Sequence, residues 1–117
     1  MKVLIVDDNA MTRTMIKDIL EEMHHQVLGE AENGDEAVKA FKELNPELVL
    51  LDMIMPGKTG MEVLEILRGI NPKAKVVMVT AVQQDEISKK LFEKGATAIL
   101  FKPFSYGEFE EVLKQIA

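Results

Sequence analysis

The sequence predicts an α/β fold, a single (βα)5 doubly wound parallel sheet, and three observations predict it. Short aliphatic runs alternate five times with segments of helical periodicity. Four of those runs, Val3–Val6, Glu47–Leu51, Lys75–Val79 and Thr97–Phe101, are nearly continuous in Val, Ile and Leu, the mark of parallel strands covered on both faces. The length of 117 residues, with no linker, repeat or low-complexity stretch, fits one domain spanning 1–117.

Each element carries its own signal. After Val3–Val6, Met11, Met15, Ile16, Ile19 and Met23 form one helical stripe. Gln26–Glu30 is a more polar run and is expected at a sheet edge. Asn33 with Glu36 reads as a capping box opening a helix whose apolar stripe is Ala37, Ala40, Phe41 and Leu44. Glu47–Leu51 is the third strand, and Thr59 with Glu62 opens the next helix. Lys75–Val79 follows, and the helix after it is expected to stop at Gly95, with Lys89, Lys90, Glu93 and Lys94 on a solvated face. Thr97–Phe101 is the fifth strand. Ser105 with Glu108 caps the last helix, with Phe104 and Phe109 at the positions of a hydrophobic staple. Right-handed crossovers join five parallel strands in this scheme.

Composition narrows the function. The chain is 47% apolar and 29% charged, with 14 basic and 20 acidic residues and a net charge of −6. That balance lacks the phosphate-neutralising charge of a nucleic-acid binder, and no basic cluster supplies it locally. No apolar run approaches membrane-spanning length. Met1-Lys2 leads straight into the first strand, so no signal peptide is expected. The absence of cysteine removes disulfides and thiolate metal sites and fits a cytoplasmic protein.

In such a sheet, ligands bind beyond the carboxyl ends of the strands. This sequence places Asp7, Asp8 and Asn9 after the first strand, Asp52 after the third, Thr80 and Ala81 after the fourth, and Lys102-Pro103 after the fifth. Glu32-Asn33-Gly34 after the second reads as a turn and helix cap. Three carboxylates crowded together repel unless a cation is present. A hard divalent ion such as Mg2+ takes oxygen ligands and shares its sphere with phosphate, and no His or Cys is needed. Lys102 suits a carboxylate or an incoming phosphoryl oxygen, and Thr80 offers a hydroxyl at the same edge. A carboxylate is itself a competent nucleophile for phosphoryl transfer. Asp52 is therefore read as a phosphorylatable nucleophile at a metal site.

Four motifs now occur in order: VLIVDDN at Val3–Asn9, LLDMIMPGKTG at Leu50–Gly60, VVMVTA at Val76–Ala81 and LFKPF at Leu100–Phe104. With them the whole chain resembles the receiver domain of two-component response regulators, most of all the stand-alone, chemotaxis-type regulators. The resemblance implies a flavodoxin-like strand order 2-1-3-4-5 and no output domain. It implies that Asp52 accepts phosphate from a sensor histidine kinase or phosphotransfer protein. It implies that Asp8, Asp52 and the Ile54 carbonyl bind Mg2+, with Asp7 acting mainly through water. Thr80 and Lys102 would contact the phosphoryl group, and the Lys102-Pro103 bond would be cis. The chain would phosphorylate and dephosphorylate itself without being an enzyme in any other sense. Its readout would be a partner protein docking on the fourth helix, fifth strand and fifth helix, about Gln83–Lys94 and Ile99–Tyr106, with the protein a monomer or a weak phosphorylation-dependent dimer.

The sequence departs from the family at informative positions. Ile99 stands where members with an aromatic switch carry Tyr or Phe, so Thr80 would couple to aliphatic repacking rather than to a ring swing. Ile54 and Val82 occupy the positions that tune dephosphorylation, and neither side chain can orient water, so a long-lived acyl phosphate is expected. Met53 replaces the usual ring beside the acceptor.

Other readings stay in view. Asp7 and Asp8 also suit a helix N-terminus. His24-His25 reads as solvated capping at a helix end rather than a metal site. The eight methionines read as core filler, with Met55 and Met61 packing the loop near the site. A flavin or nucleotide protein would need a donor-rich loop where Asp7 and Asp8 stand, and an aspartyl phosphatase would need an Asp-x-Asp spacing that Asp7-Asp8-Asn9 lacks. A pseudo-receiver, binding partners without phosphorylation, is the alternative that Ile99 keeps alive.

Overall fold

Alternation along each strand sorts the apolar side chains into two cores, one on each face of a single sheet. The computed structural model describes residues Met1–Ala117. It runs β1 (Lys2–Val6), α1 (Ala10–Glu22), β2 (Gln26–Ala31), α2 (Gly34–Leu44), β3 (Leu48–Asp52), α3 (Gly60–Ile70), β4 (Lys75–Thr80), α4 (Asp85–Glu93), β5 (Ala98–Phe101) and α5 (Tyr106–Ile116). The sheet order is β2-β1-β3-β4-β5, and every pairing is parallel. The expected α/β class and strand order are thus found, with polar β2 at one edge and the four-residue β5 at the other.

Leu4, Val6, Val49, Leu51, Val76 and Met78 point to one face and pack with Ala37 and Phe41 of α2, Val63, Leu64 and Leu67 of α3, and Leu91 of α4. Val3, Ile5, Leu48, Leu50, Val77, Val79 and Leu100 point to the other and pack with Ile16 and Leu20 of α1 and Phe109 and Leu113 of α5. The interleaved numbering is the period of two expected of a pleated strand. Continued past the strand ends, the same parity sets Asp7, Asp52 and Lys102 on the α1/α5 face and Thr80 on the α3/α4 face.

Local signals set most element ends. Thr59 with Glu62 and Ser105 with Glu108 form reciprocal capping boxes, and the Phe104 and Phe109 rings meet at 5.6 Å. At Asn33 the box is only half made. Its side chain accepts from the Glu36 N–H, but Glu36 reaches the Asn33 side chain and the Glu32 N–H instead of the cap backbone. Gly95 ends α4 as expected, at φ 106, where its N–H donates to the Phe92 carbonyl and that of Ala96 to the Leu91 carbonyl.

Two readings of the first helix are corrected. Met11 is 83% and Met15 46% exposed, so neither joins the stripe that buries Ile16 and Leu20. Met15 and Ile16 are one residue and about 100° apart on a helix, and both cannot face the sheet. Methionine is therefore not uniformly core filler: Met55 and Met78 are buried, and Met53 and Met61 pack half-buried against the core. Nor do His24 and His25 lie on the helix. His24, at φ 64, takes the left-handed position that closes α1, and the His25 N–H donates to the Leu20 carbonyl. The His25 ring is half-buried rather than solvated, with Nδ1 2.7 Å from the Met1 amino group.

Helix α4 is fastened unevenly. Arg68 on α3 donates through Nε to the Gly95 carbonyl at 2.7 Å, through Nη1 to the Ala74 carbonyl, and through Nη2 to Thr97 Oγ1 at 3.2 Å. A Lys94–Glu65 ion pair lies beside it. The other end starts at Gln84, which makes no side-chain cap bond, and Leu91 is the single fully buried residue of the helix. No helix is long and apolar enough to cross a membrane.

The start of α3 is packed directly on the end of β3. The Gly60 N–H donates to the Met53 carbonyl at 2.8 Å, and a Cβ at Gly60 would lie 2.3 Å from the Asp52 carbonyl oxygen and 2.7 Å from Met53 Cα. Backbone cannot yield as a side-chain tip can. Gly60→Ala is expected to cost about 2–3 kcal/mol, in the range of overpacked sites, read as a lowered urea midpoint; an unchanged midpoint would contradict this packing.

Candidate functional site

The carboxyl ends of β1, β3, β4 and β5 converge on one edge of the sheet. Asp7 follows β1 and is held at every polar atom. Its N–H donates to the Ala31 carbonyl at 3.0 Å, and its carbonyl accepts from Arg13 Nη1 at 2.7 Å. Its Oδ1 accepts from the Asn9 N–H at 2.8 Å, and its Oδ2 from Lys102 Nζ at 2.8 Å. Asp8, one residue on, is exposed, whereas Asp7 and Asp52 are buried, at 2% and 6% exposure. Carboxylate oxygens of Asp7, Asp8 and Asp52 lie within 4.8 Å of one another.

Lys102 closes the site from the β5 side, with Nζ 2.8 Å from Asp7 Oδ2 and 3.4 Å from Asp52 Oδ1. The Lys102–Pro103 peptide bond is cis, and Pro103 is exposed. Thr80, the last residue of β4, is buried, and its Oγ1 accepts from the Val82 N–H at 3.0 Å. Ile54 lies in the loop between β3 and α3 with its side chain 67% exposed. Ile99 is half-buried on β5, in register with Met78, and packs against the α3/α4-side core. The sequence-derived set therefore converges for Asp7, Asp8, Asp52 and Lys102. Thr80 meets the same edge from the opposite face, and Ile99 lies deeper in the sheet.

Burial, then the neighbouring Asp7 carboxylate, push the Asp52 pKa above its ordinary value, and Lys102 offsets only part of this. Burial pulls the Lys102 ammonium down, but its bond to Asp7 and the field of Asp52 outweigh that and leave it raised. One ammonium thus pairs with two of the three clustered carboxylates, and the local charge is left negative. The donor set is all oxygen, two of its carboxylates are buried, and their closest oxygens are within a single ion's reach. That arrangement fits a hard divalent cation.

Several residues that build the site escaped sequence reasoning. Asn9, rather than Asp7 or Asp8, is the N-cap of α1, accepting from the Thr12 N–H at 3.0 Å. Arg13 grips the Asp7 carbonyl and pairs with Glu30 of β2 at 3.0 Å. The available signal was a basic residue one turn past Asn9 beside an apolar stripe, too common to single out.

Residues 3–114 match the response regulator receiver domain. The chain belongs to the response regulator receiver family. Among curated relatives, the chemotaxis protein CheY of Listeria monocytogenes is 41% identical over 117 residues, covering all of this chain and 98% of the relative. CheY of Thermotoga maritima is 37% identical over 116 residues, covering 99% and 97%. Among solved structures, the CheX-CheY-BeF3-Mg+2 complex of Borrelia burgdorferi superposes with a TM-score of 0.95 at 27% identity, covering 98% of this chain and 87% of that one. Receiver domains of this CheY type serve phosphorylation-dependent signalling and are switches rather than classical enzymes.

The raised Asp52 value has a sign that can be tested. Because folding raises it, ionisation works against the folded state. The cost is absent below the ordinary value of 3.8, where the group is protonated folded or unfolded, and appears as pH rises through the folded value. Asp52→Asn removes the charge and keeps the shape. At neutral pH without divalent ions it is expected to stabilise the receiver, a gain that fades toward pH 4 and narrows in magnesium chloride. Urea unfolding across pH measures it, and a destabilised variant at neutral pH would contradict the assignment.

Proposed function

We propose that this protein is a phosphorylation-activated signalling switch whose acceptor is Asp52, phosphorylated from a phosphohistidine on a sensor histidine kinase or phosphotransfer protein. The observation that carries this reading is the buried Asp52 carboxylate at the end of β3, grouped with Asp7 and Asp8 and 3.4 Å from Lys102. In the transfer, an Asp52 oxygen attacks phosphorus, an O–P bond forms, the P–N bond of the donor breaks, and the electron pair returns to the donor imidazole. Asp8, Asp52 and the Ile54 carbonyl would hold Mg2+ directly, and Asp7 through water. When bound, the ion neutralises charge on the phosphoryl oxygens. Lys102 presents its ammonium to the same oxygens, and the Thr80 hydroxyl supplies a donor from the α4 side.

The Thr80 Oγ1 accepts from the Val82 N–H in the loop leading into α4, so a phosphoryl oxygen on Asp52 that takes the Thr80 O–H proton pulls on a hydroxyl already tied to that loop. Ile99 and Ile87 pack on the same core as Leu91, so a shift of Thr80 is read through aliphatic repacking rather than a ring. A coupling of ~1–3 kcal/mol is typical of such switches. The readout is binding of an effector protein to the α4–β5–α5 face, Gln83–Lys94 and Ile99–Tyr106.

Incubation with Mg2+ and acetyl phosphate is expected to add the mass of one phosphoryl group, lost in Asp52→Asn. No mass gain in the unaltered protein would favour a partner-binding module that works without phosphorylation. Ile54 and Val82 offer no hydrogen bond to an attacking water, so release of phosphate is expected to be slow, and Ile54→Asn is expected to speed it. Phosphate release timed by mass spectrometry decides this, and equal rates for the two proteins would refute it.

A further inference from the structure

The cation reading above leaves one question: what fixes Asp8, an exposed side chain with no partner of its own? Its placement must come from the two peptides that flank it: the Asp8–Asn9 peptide is held where the Asn9 N–H donates to Asp7 Oδ1 at 2.8 Å, and the Asp7–Asp8 peptide is held from outside the loop. The Asp7–Asp8 peptide is a rigid plane containing the Asp7 carbonyl and the Asp8 Cα. Arg13 Nη1 holds that carbonyl at 2.7 Å, so it orients this plane and, with the Asn9 bond on the other side, the point from which the Asp8 carboxylate projects. The guanidinium is itself fixed. Its Nε donates to Glu30 Oε1 at 3.0 Å, its side chain is only 15% exposed, and its backbone N–H closes the first turn of α1 on the Asn9 carbonyl. β2 therefore braces the loop twice, through Glu30 and through the Ala31 carbonyl that accepts from the Asp7 N–H.

We propose that Arg13, anchored by Glu30, is a positioning residue that pre-forms the Asp8 limb of the divalent-cation site. The inference rests on the reading of Asp7, Asp8 and Asp52 as that site. The bond is made to a backbone oxygen, so its loss leaves every carboxylate in place chemically and loosens only the geometry of one. The effect expected is weaker cation binding with the phosphoryl chemistry intact.

Calorimetric titration with magnesium chloride tests it on the full chain. Arg13→Met keeps the apolar stem and is expected to raise the Kd roughly tenfold, as loss of an outer-shell partner does. Arg13→Lys retains one donor and is expected to recover part of that loss. Phosphorylation by acetyl phosphate in Arg13→Met should need correspondingly more Mg2+ for half its maximal rate yet reach the same maximum, a split that a general loss of stability would not give. A Kd within twofold of the unaltered protein overturns the proposal, as does a lowered maximal rate at saturating Mg2+. Should Arg13→Met not fold, Glu30→Ala serves: a Kd raised threefold or more supports the bracing, and an unchanged Kd overturns it. Asp8→Asn separates the two levels. If it binds Mg2+ as well as the unaltered protein, the cation reading fails; if it loses binding while Arg13→Met keeps it, the Arg13 role alone fails.

Discussion

The contact on which the rest depends is the bridge from Lys102 Nζ to Asp7 and Asp52, 2.8 Å and 3.4 Å away. Two carboxylates almost withdrawn from water do not stand side by side unaided, since their like charges repel in a medium that screens poorly. A single ammonium from the far edge of the sheet relieves part of that penalty, so β1, β3 and β5 are joined at their ends by one ion cluster. The relief is incomplete: Asp52 remains the more strained partner while Asp7 is bonded at all four of its polar atoms. A carboxylate bonded throughout thus stands beside one that is not, an asymmetry that suits the acceptor role proposed for Asp52.

Pleat parity divides labour across the sheet. Asp7, Asp52 and Lys102 share the face covered by α1 and α5, whereas Thr80 belongs to the face covered by α3 and α4. On the proposed reading, Thr80 is thus the residue through which events on one side would be passed to helices on the other. Its hydroxyl already touches the loop that leads into α4.

Strand positions were readable because each aliphatic run is short and bounded, and the Thr59–Glu62, Ser105–Glu108 and Gly95 signals are local, depending on residues three or four apart. Asp7, Asp8, Asp52, Thr80 and Lys102 were readable because the fold class alone dictates that strand ends meet. What was hidden depends on contacts without a sequence period. Arg13 acts on a backbone carbonyl six residues back and on β2, and Gly60 is required by the backbone of Asp52 rather than by any turn. Met11 and Met15 were misplaced because an apolar residue one step off a stripe scores like a member of it, and only the packed sheet tells the two rows apart. His24 was legible as capping at a helix end but not as the left-handed residue that closes it, because glycine usually fills that position.

The uneven fastening of α4 carries a mechanical meaning. Arg68, Gly95 and the Lys94–Glu65 pair bolt its trailing end to α3, while its leading end follows an uncapped Gln84 and is held to the sheet mainly through Leu91. A rod pinned at one end has a single soft motion, a swing of the free end. Under the proposed switch, a displacement at the β4 terminus would move Asp85 and Glu86 more than Lys94, changing the tilt of this surface rather than its position.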